Sequence, residues 1–438
     1  MNTYRASYRK TAIVASTLLA GQCAAIGWLL LGRLGVQEAS PLRFLWVPAS
    51  LVLIFTAIVT ILVLAGALIV LRRDRLETHG KPYAGEPREW HGGPLVQTFR
   101  SFLRGLRSLA GAPPWRLDLR AGELVEIRSR QEILATLDSR GELDSLPFMP
   151  EMESLCGREA RVHRRVDKIF DWITMSGLRR MRDTVILEGL RCDGGYHEGC
   201  QADCPILWKE AWLRRSSKKA KAVGERSSGS DISLDLRQFT TRIDTETSET
   251  RFVCQLSKLP QATSPTPWNS PRNLLRELFS GNVSIGPFLT FIAIFAFNAV
   301  QKRLGGACFP ILGHSQSAKT PHAVLNIQPG ELVRIRTKRE IEETLNSQFK
   351  NRGLWFDKEM TRFCGGIYTV RARVDRQIDE RTGKMVTINT PCITLEGVTA
   401  TGEYFEFAPL DERIYWREIW LERLNAQADP VRKTPEAS

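Results

Sequence analysis

The chain has 438 residues, enough for two or three domains with proper cores. Its formal net charge is +13, and arginine supplies most of the basic side chains. No basic run is interleaved with aromatics, which counts against nucleic acid as a partner and favours anionic lipid headgroups. Nine cysteines, three of them in one short cluster, point to metal or redox chemistry and away from a disulfide framework.

The N-terminus, residues 1–75, reads as a transmembrane hairpin. Residues 11–32 and 44–71 contain no charge except the arginine-bearing connection between them, and each is long enough for a hydrocarbon core. A cleavable signal peptide is the rival reading of the first stretch, but no small-residue cleavage site precedes a polar region and a second span follows at once. Arg5, Arg9 and Lys10 flank the start and Arg72, Arg73 and Arg75 the end, whereas the loop holds only Arg33 and Arg43. The positive-inside rule then puts both ends of the hairpin in the cytoplasm. Residues 76–111 follow as a juxtamembrane segment, in which Leu95, Phe99, Phe102, Leu103 and Leu106 form the apolar face of an amphipathic helix.

The next 94 residues are written twice. An offset of 208 aligns Gly122–Arg215 with Gly330–Arg423 without a gap, at more than thirty identities. GELVEIR meets GELVRIR, Cys156 meets Cys364, and WKEAWL (Trp208–Leu213) meets WREIWL (Trp416–Leu421). We therefore expect two small β-rich modules, over residues 112–215 and 322–424. Within the first, Glu123–Arg128 alternates as a half-buried strand, Gln131–Leu137 is a short helix capped by Ser129, and Arg161–Val166 and Val185–Leu190 are strands. The tryptophan pairs Trp208/Trp212 and Trp416/Trp420, spaced by four, are expected on one face of a closing helix as core anchors. The fold class is α+β, with each module an SH3-like barrel or rolled sheet. Residues 216–249 read as a polar linker, 250–321 as an intermodule segment and 425–438 as a tail. The apolar stretch 278–301 is expected as a buried or interfacial helix, with a true span as the alternative.

Residues kept by one copy alone are the candidates for a site. Cys192, His197, Cys200 and Cys204 lie within thirteen residues, and the aligned positions are Ala400, Phe405, Ala408 and Glu412. Three thiolates and one imidazole suit tetrahedral zinc, and four protein ligands would close its shell, as in a structural site. An iron–sulfur cluster is the alternative metal reading, a Cys200/Cys204 redox pair a third, and three buried thiols the plain one. In the second copy, Phe405, Phe407 and Ala408 are expected to fill the metal's space. Cys156 is matched by Cys364 and is assigned to the core. Cys254, Cys308 and Cys392 read as lone buried thiols, and Cys23 falls within the membrane. Glu188, Asp167 and Glu210 recur at Glu396, Asp375 and Glu418, which predicts structural salt bridges with arginine. No Walker loop, dinucleotide fingerprint, nucleophile elbow or His-Glu-x-x-His is present.

The segments CDGGYHEGCQADCPILWKEAWL, LPFMPEMESLCG and RELFSGNVSIGPFL resemble a family of uncharacterised bacterial proteins with a CDG-x2-H-x2-C block and a second YWREIWL block. Members are frequently encoded beside secondary-metabolite or cell-surface polysaccharide genes. The resemblance implies that Cys192, His197, Cys200 and Cys204 match the family block, while Ala400, Phe405 and Ala408 depart from the related second block. The expected function is a membrane-anchored cytoplasmic interaction or scaffold protein with unidentified protein partners and a structural zinc. A metal- or thiol-dependent enzyme is the alternative, and a nucleic-acid binder the second alternative.

Overall fold

The computed structural model describes residues 2–35, 43–82, 116–216, 235–244, 247–267, 270–315, 319–408 and 411–424. The amphipathic stretch expected at 95–109 and the tail at 425–438 lie outside them.

The two apolar stretches at the N-terminus are helical, α1 (Asn2–Gly35) and α2 (Arg43–Thr78). They pack side by side, and an Arg5–Asp74 ion pair joins their ends. α2 is further tied to the C-terminal repeat by Arg73–Glu403 at 2.9 Å and Lys338–Glu77 at 2.6 Å.

Each sequence repeat builds a five-stranded antiparallel sheet that curls into a half-barrel. In the first, β1 (Leu124–Ile127), β2 (Glu159–Arg165), β3 (Thr184–Arg191), β4 (Pro205–Lys209) and β5 (Leu213–Arg215) lie in the order β4-β3-β2-β1-β5. In the second, β6 (Leu332–Ile335), β7 (Ile367–Asp379), β8 (Lys384–Leu395), β9 (Trp416–Arg417) and β10 (Leu421–Arg423) lie in the matching order β9-β8-β7-β6-β10. The register repeats too: Leu124 faces Arg161 as Leu332 faces Thr369, and Val125 faces Arg215 as Val333 faces Arg423. Ser129 caps α3 (Arg130–Leu134) with Glu132 completing a capping box, and Thr337 with Glu340 does the same for the helix Lys338–Glu342.

The tryptophans are core anchors, fully buried in both repeats, but not on a helix. Trp208 is on β4 and Trp212 closes a one-turn 3-10 segment, Glu210–Trp212, that leads into β5. The spacing of four reflects a strand, a tight turn and a second strand. Ile206, Leu207 and Trp208 prefer a pleated, buried setting, and Val185 and Ile186 of β3 offer them the ladder partners. Each second tryptophan donates its indole N–H to a threonine, Trp212 to Thr136 at 3.0 Å and Trp420 to Thr344 at 2.8 Å.

The recurring carboxylates make the expected ion pairs with arginine at Asp167, Glu210, Glu396 and Glu418. Glu210 accepts the backbone N–H groups of Leu117, Asp118 and Leu119 and pairs with buried Arg165 at 2.5 Å. Glu418 accepts from Leu325 and Ile327 and pairs with Arg373, also at 2.5 Å. The same carboxylate thus clamps the chain entering each sheet.

Part of the expected linker belongs to the first core. Leu236 is buried there, and Thr241–Ile243 pairs with Thr250–Phe252 as a hairpin. Gln255 follows, its amide bonding both backbone groups of Leu207 and the carbonyl of Pro147. Comparison of the copies could not reveal these residues, because they lie outside the 94 aligned positions. A short helix α4 (Pro150–Glu153) lies under the same core. Two later helices, α5 (Pro271–Phe279) and α6 (Ile285–Arg303), join the repeats.

α6 and residues 54–78 of α2 are both long and apolar enough to cross a membrane. They touch closely: a Cβ at Gly66 would meet the carbonyl oxygen of Ala293 at 2.1 Å. The polar groups of α6 are satisfied within the bundle, Gln301 by Thr11 and Asn298 by both backbone groups of Phe309. The two sheets also contact each other directly, through Arg191–Asp411 and through Asp203 with Arg371 and Arg413.

Candidate metal centre

β3 ends at Arg191, and the thirteen residues Cys192–Cys204 form the connection to β4. Its base is closed by the Cys192 N–H donating to the Cys204 carbonyl at 2.9 Å. Within it, the N–H groups of His197 and Gly199 both donate to the carbonyl of Gly194. Gly194 has φ +71°, and a Cβ there would lie 2.0 Å from the Cys200 carbonyl oxygen, so the tight fold admits only glycine.

The fold brings Cys192 and His197 together with a residue the sequence reading left out, Glu151 of α4. One ligand atom from each lies within 4.8 Å of the others. The Cys192 sulfur is 3.2 Å from Glu151 Oε1 and 3.7 Å from His197 Nδ1. Among the described residues, Glu151 Oε2 and His197 Nε2 are buried with no hydrogen-bond partner. Orphaned buried polar atoms are costly, and a cation held by this group would give the buried Glu151 carboxylate a counter-charge.

Cys200 and Cys204 stand slightly apart. Both line, with Cys192, His197 and Glu151, a cavity of about 40 Å³, but the Cys200 sulfur accepts the Ile378 N–H of β7 at 3.4 Å. Cys254, read as a lone buried thiol, is on the wall of the same cavity, as is Glu380 of the C-terminal repeat. Cys156 takes the role expected of it: its thiol donates to the Met152 carbonyl, as that of Cys364 does to Met360.

Burial sets the protonation states. Desolvation, aided by the neighbouring Glu151 charge, holds the Cys192 thiol far above its ordinary range, and desolvation does the same for Cys204. Cys254 is pushed up to about 11 by burial, and burial lowers His197, favouring the neutral imidazole that binds metals. A metal ion would reverse the thiol preference and release protons on binding.

In the second repeat the aligned carboxylate, Glu359, has a different task. It accepts the N–H and hydroxyl of Thr401 and the N–H of Gly402, pinning the equivalent loop by hydrogen bonds alone. Phe407 does not fill the metal's space as expected. It turns outward onto Phe291, Val283 and Phe288 of the α5–α6 region, an apolar surface closer to hand. Ala408 and Ala400 pack against the first repeat's core, and the Phe405 side chain lies outside the described residues.

The small cavity adjoins a larger one, about 380 Å³, between the repeats. Cys204, Ala202, Leu256, Ile378 and Glu380 line both. Burial pushes Glu380 up to about 7 and Glu412 up to about 8. The folded chain therefore holds these protons at pH values where the unfolded chain, with carboxyls near 4.5, has lost them. Stability contributed this way is present at low pH and falls as pH rises from about 4.5 to about 8. Glu412→Gln should accordingly leave the melting temperature near wild type at pH 5. At pH 8 it should add about 1–3 kcal/mol, read by denaturant unfolding at the two pH values. Equal effects at both would show that the carboxyl is solvated.

No family model, curated protein or solved structure matches the chain.

Proposed function

We propose that the chain is a membrane-anchored scaffold in which one zinc ion fastens two copies of a small β-module into a single platform on the cytoplasmic face. The observation that carries this reading is that the metal loop is also the docking element. The Gln201 side-chain carbonyl accepts the N–H groups of Asp375 and Arg376, its own N–H donates to the Arg376 carbonyl, and Cys200 accepts from Ile378. Ordering the loop with a metal orders the joint.

Glu151, Cys192 and His197 are the ligands nearest one another, with Cys200 or Cys204 within the same cavity to complete a tetrahedral zinc shell. The apolar α2 and the absence of charge along residues 11–32 support the hairpin anchor, and direct bonds between the repeats require both on one side of any bilayer. Headgroup attraction by the flanking arginines supports a cytoplasmic orientation. The family resemblance supports service to an envelope polysaccharide or secondary-metabolite complex.

The test is elemental analysis of the full chain in detergent, combined with hydrogen exchange before and after chelation. We expect about one zinc per chain, and faster exchange at Gln201 and Arg376–Ile378 once it is removed. Absence of metal, or exchange indifferent to it, would sink the reading.

A second reading, a metal-dependent enzyme, is favoured by the three-ligand group beside a ligand-sized chamber, since three protein ligands leave a position open for water. Rapid alkylation of Cys200 or Cys204 in metal-loaded protein would favour it over the scaffold.

A further inference from the structure

We propose that the chamber between the two repeats is a binding site for a small organic cation, an amine carried on a flat apolar body. This goes beyond the scaffold reading and does not depend on it.

The chamber's volume, about 380 Å³, is in the range of small-molecule sites, and its position between two units of one chain is where such sites form. Three aromatic side chains, Trp172, Trp355 and Tyr415, contribute to its walls. Its ionisable lining is one-sided. Asp357, Glu359, Glu380 and Glu412 face it against a single basic side chain, Arg413. That arginine is already engaged by Asp203 at 2.8 Å. In a chain of formal charge +13 this is a local reversal of sign.

Two of the four carboxylates are accounted for by the fold. Glu359 holds the Thr401–Gly402 loop, and Asp357 caps the following 3-10 turn through the Glu359 N–H at 2.8 Å. Glu380 and Glu412 are different. Among the described residues neither side chain accepts a hydrogen bond or forms a close ion pair, although both line the chamber. Both are part-buried, and carboxyls that face a chamber without a cationic partner are complemented, in their ionised form, by a cation. Aromatic faces add attraction for the same charge and shelter an apolar body.

Phenethylamine serves as the probe, with 2-phenylethanol and phenylacetate as its neutral and anionic counterparts, titrated against the full chain in detergent by tryptophan fluorescence. We expect a saturable response to the amine alone. Its apparent Kd should rise at least tenfold in Glu412→Gln and further in Glu380→Gln/Glu412→Gln. Trp355→Ala, at a half-exposed ring that the core does not need, should weaken the same response and keeps the test decisive if the double variant does not fold. Equal responses to amine and alcohol, no saturable response to the amine, or affinity unmoved by these substitutions would overturn the proposal. A response to magnesium in place of the amine would overturn it too, by giving the carboxylates to a divalent ion.

Discussion

On the proposed zinc reading, Cys192→Ser should cost the protein its metal and loosen the joint between its two repeats. Cys192 is the one residue that touches both other members of the tight ligand group, lying 3.2 Å from Glu151 and 3.7 Å from His197. Serine keeps the shape but has no thiolate to offer, and zinc affinity should fall at least ~100-fold, by analogy with losses seen even for outer-shell partners. The loop would then be held by its internal backbone bonds, and the docking bonds of Gln201 would open more often. Zinc content near zero, with raised exchange at Arg376–Ile378 but not at the Trp420 indole, is the expected pattern. Wild-type zinc content in this variant would show that the ion sits on Cys200 and Cys204 instead. Thiol protons must leave for the metal to bind, so occupancy in the wild type should climb with pH.

Glu210→Ala should unfold the first repeat, with a loss of about 3–5 kcal/mol. The substitution leaves Arg165, only 2% exposed, without its closest counter-charge and orphans three backbone N–H groups that Glu210 accepts. Asp167, at 3.1 Å from the same guanidinium, offsets part of the loss. Glu418→Ala removes the equivalent clamp but should cost clearly less. Arg373 is about a quarter exposed and returns to water more easily, and only two N–H groups are lost. Two unfolding transitions, one for each repeat, would let a single denaturant titration read both effects. Similar losses for the two variants would mean that the backbone bonds, and not the buried ion pair, carry the stability.

Comparing the copies was a good guide to the framework and a poor one to the site. Alternating residues in Glu123–Arg128 and the Ser129 cap gave β1 and α3, because those signals are local. The Trp208/Trp212 spacing misled, since a strand followed by a one-turn helix gives the same separation as one helical turn. Glu151 was hidden by its own recurrence as Glu359. A residue kept in both copies was assigned to the fold, yet the two carboxylates perform different tasks, one beside a thiol and an imidazole and one on a loop backbone. Cys254 lies outside the aligned positions, so the comparison could not pair it with Cys204. Glu380 and Glu412 belong to the copy in which only losses were sought. Their significance comes from the chamber that forms when the repeats meet, and that contact is written in neither repeat alone.

The different anchoring of the two equivalent loops gives the molecule an asymmetric response to its surroundings. The loop at Thr401–Gly402 is held by Glu359 and needs nothing from outside the chain. Its repeat is fastened to α2 through Arg73–Glu403 and Lys338–Glu77. The other loop, if zinc holds it, is only as firm as the supply of that ion. In a cell short of zinc, the C-terminal half would keep its hold on the helices while its joint to the first half loosened around Gln201, with Arg191–Asp411 still in place, so that scarcity would alter the platform without releasing it.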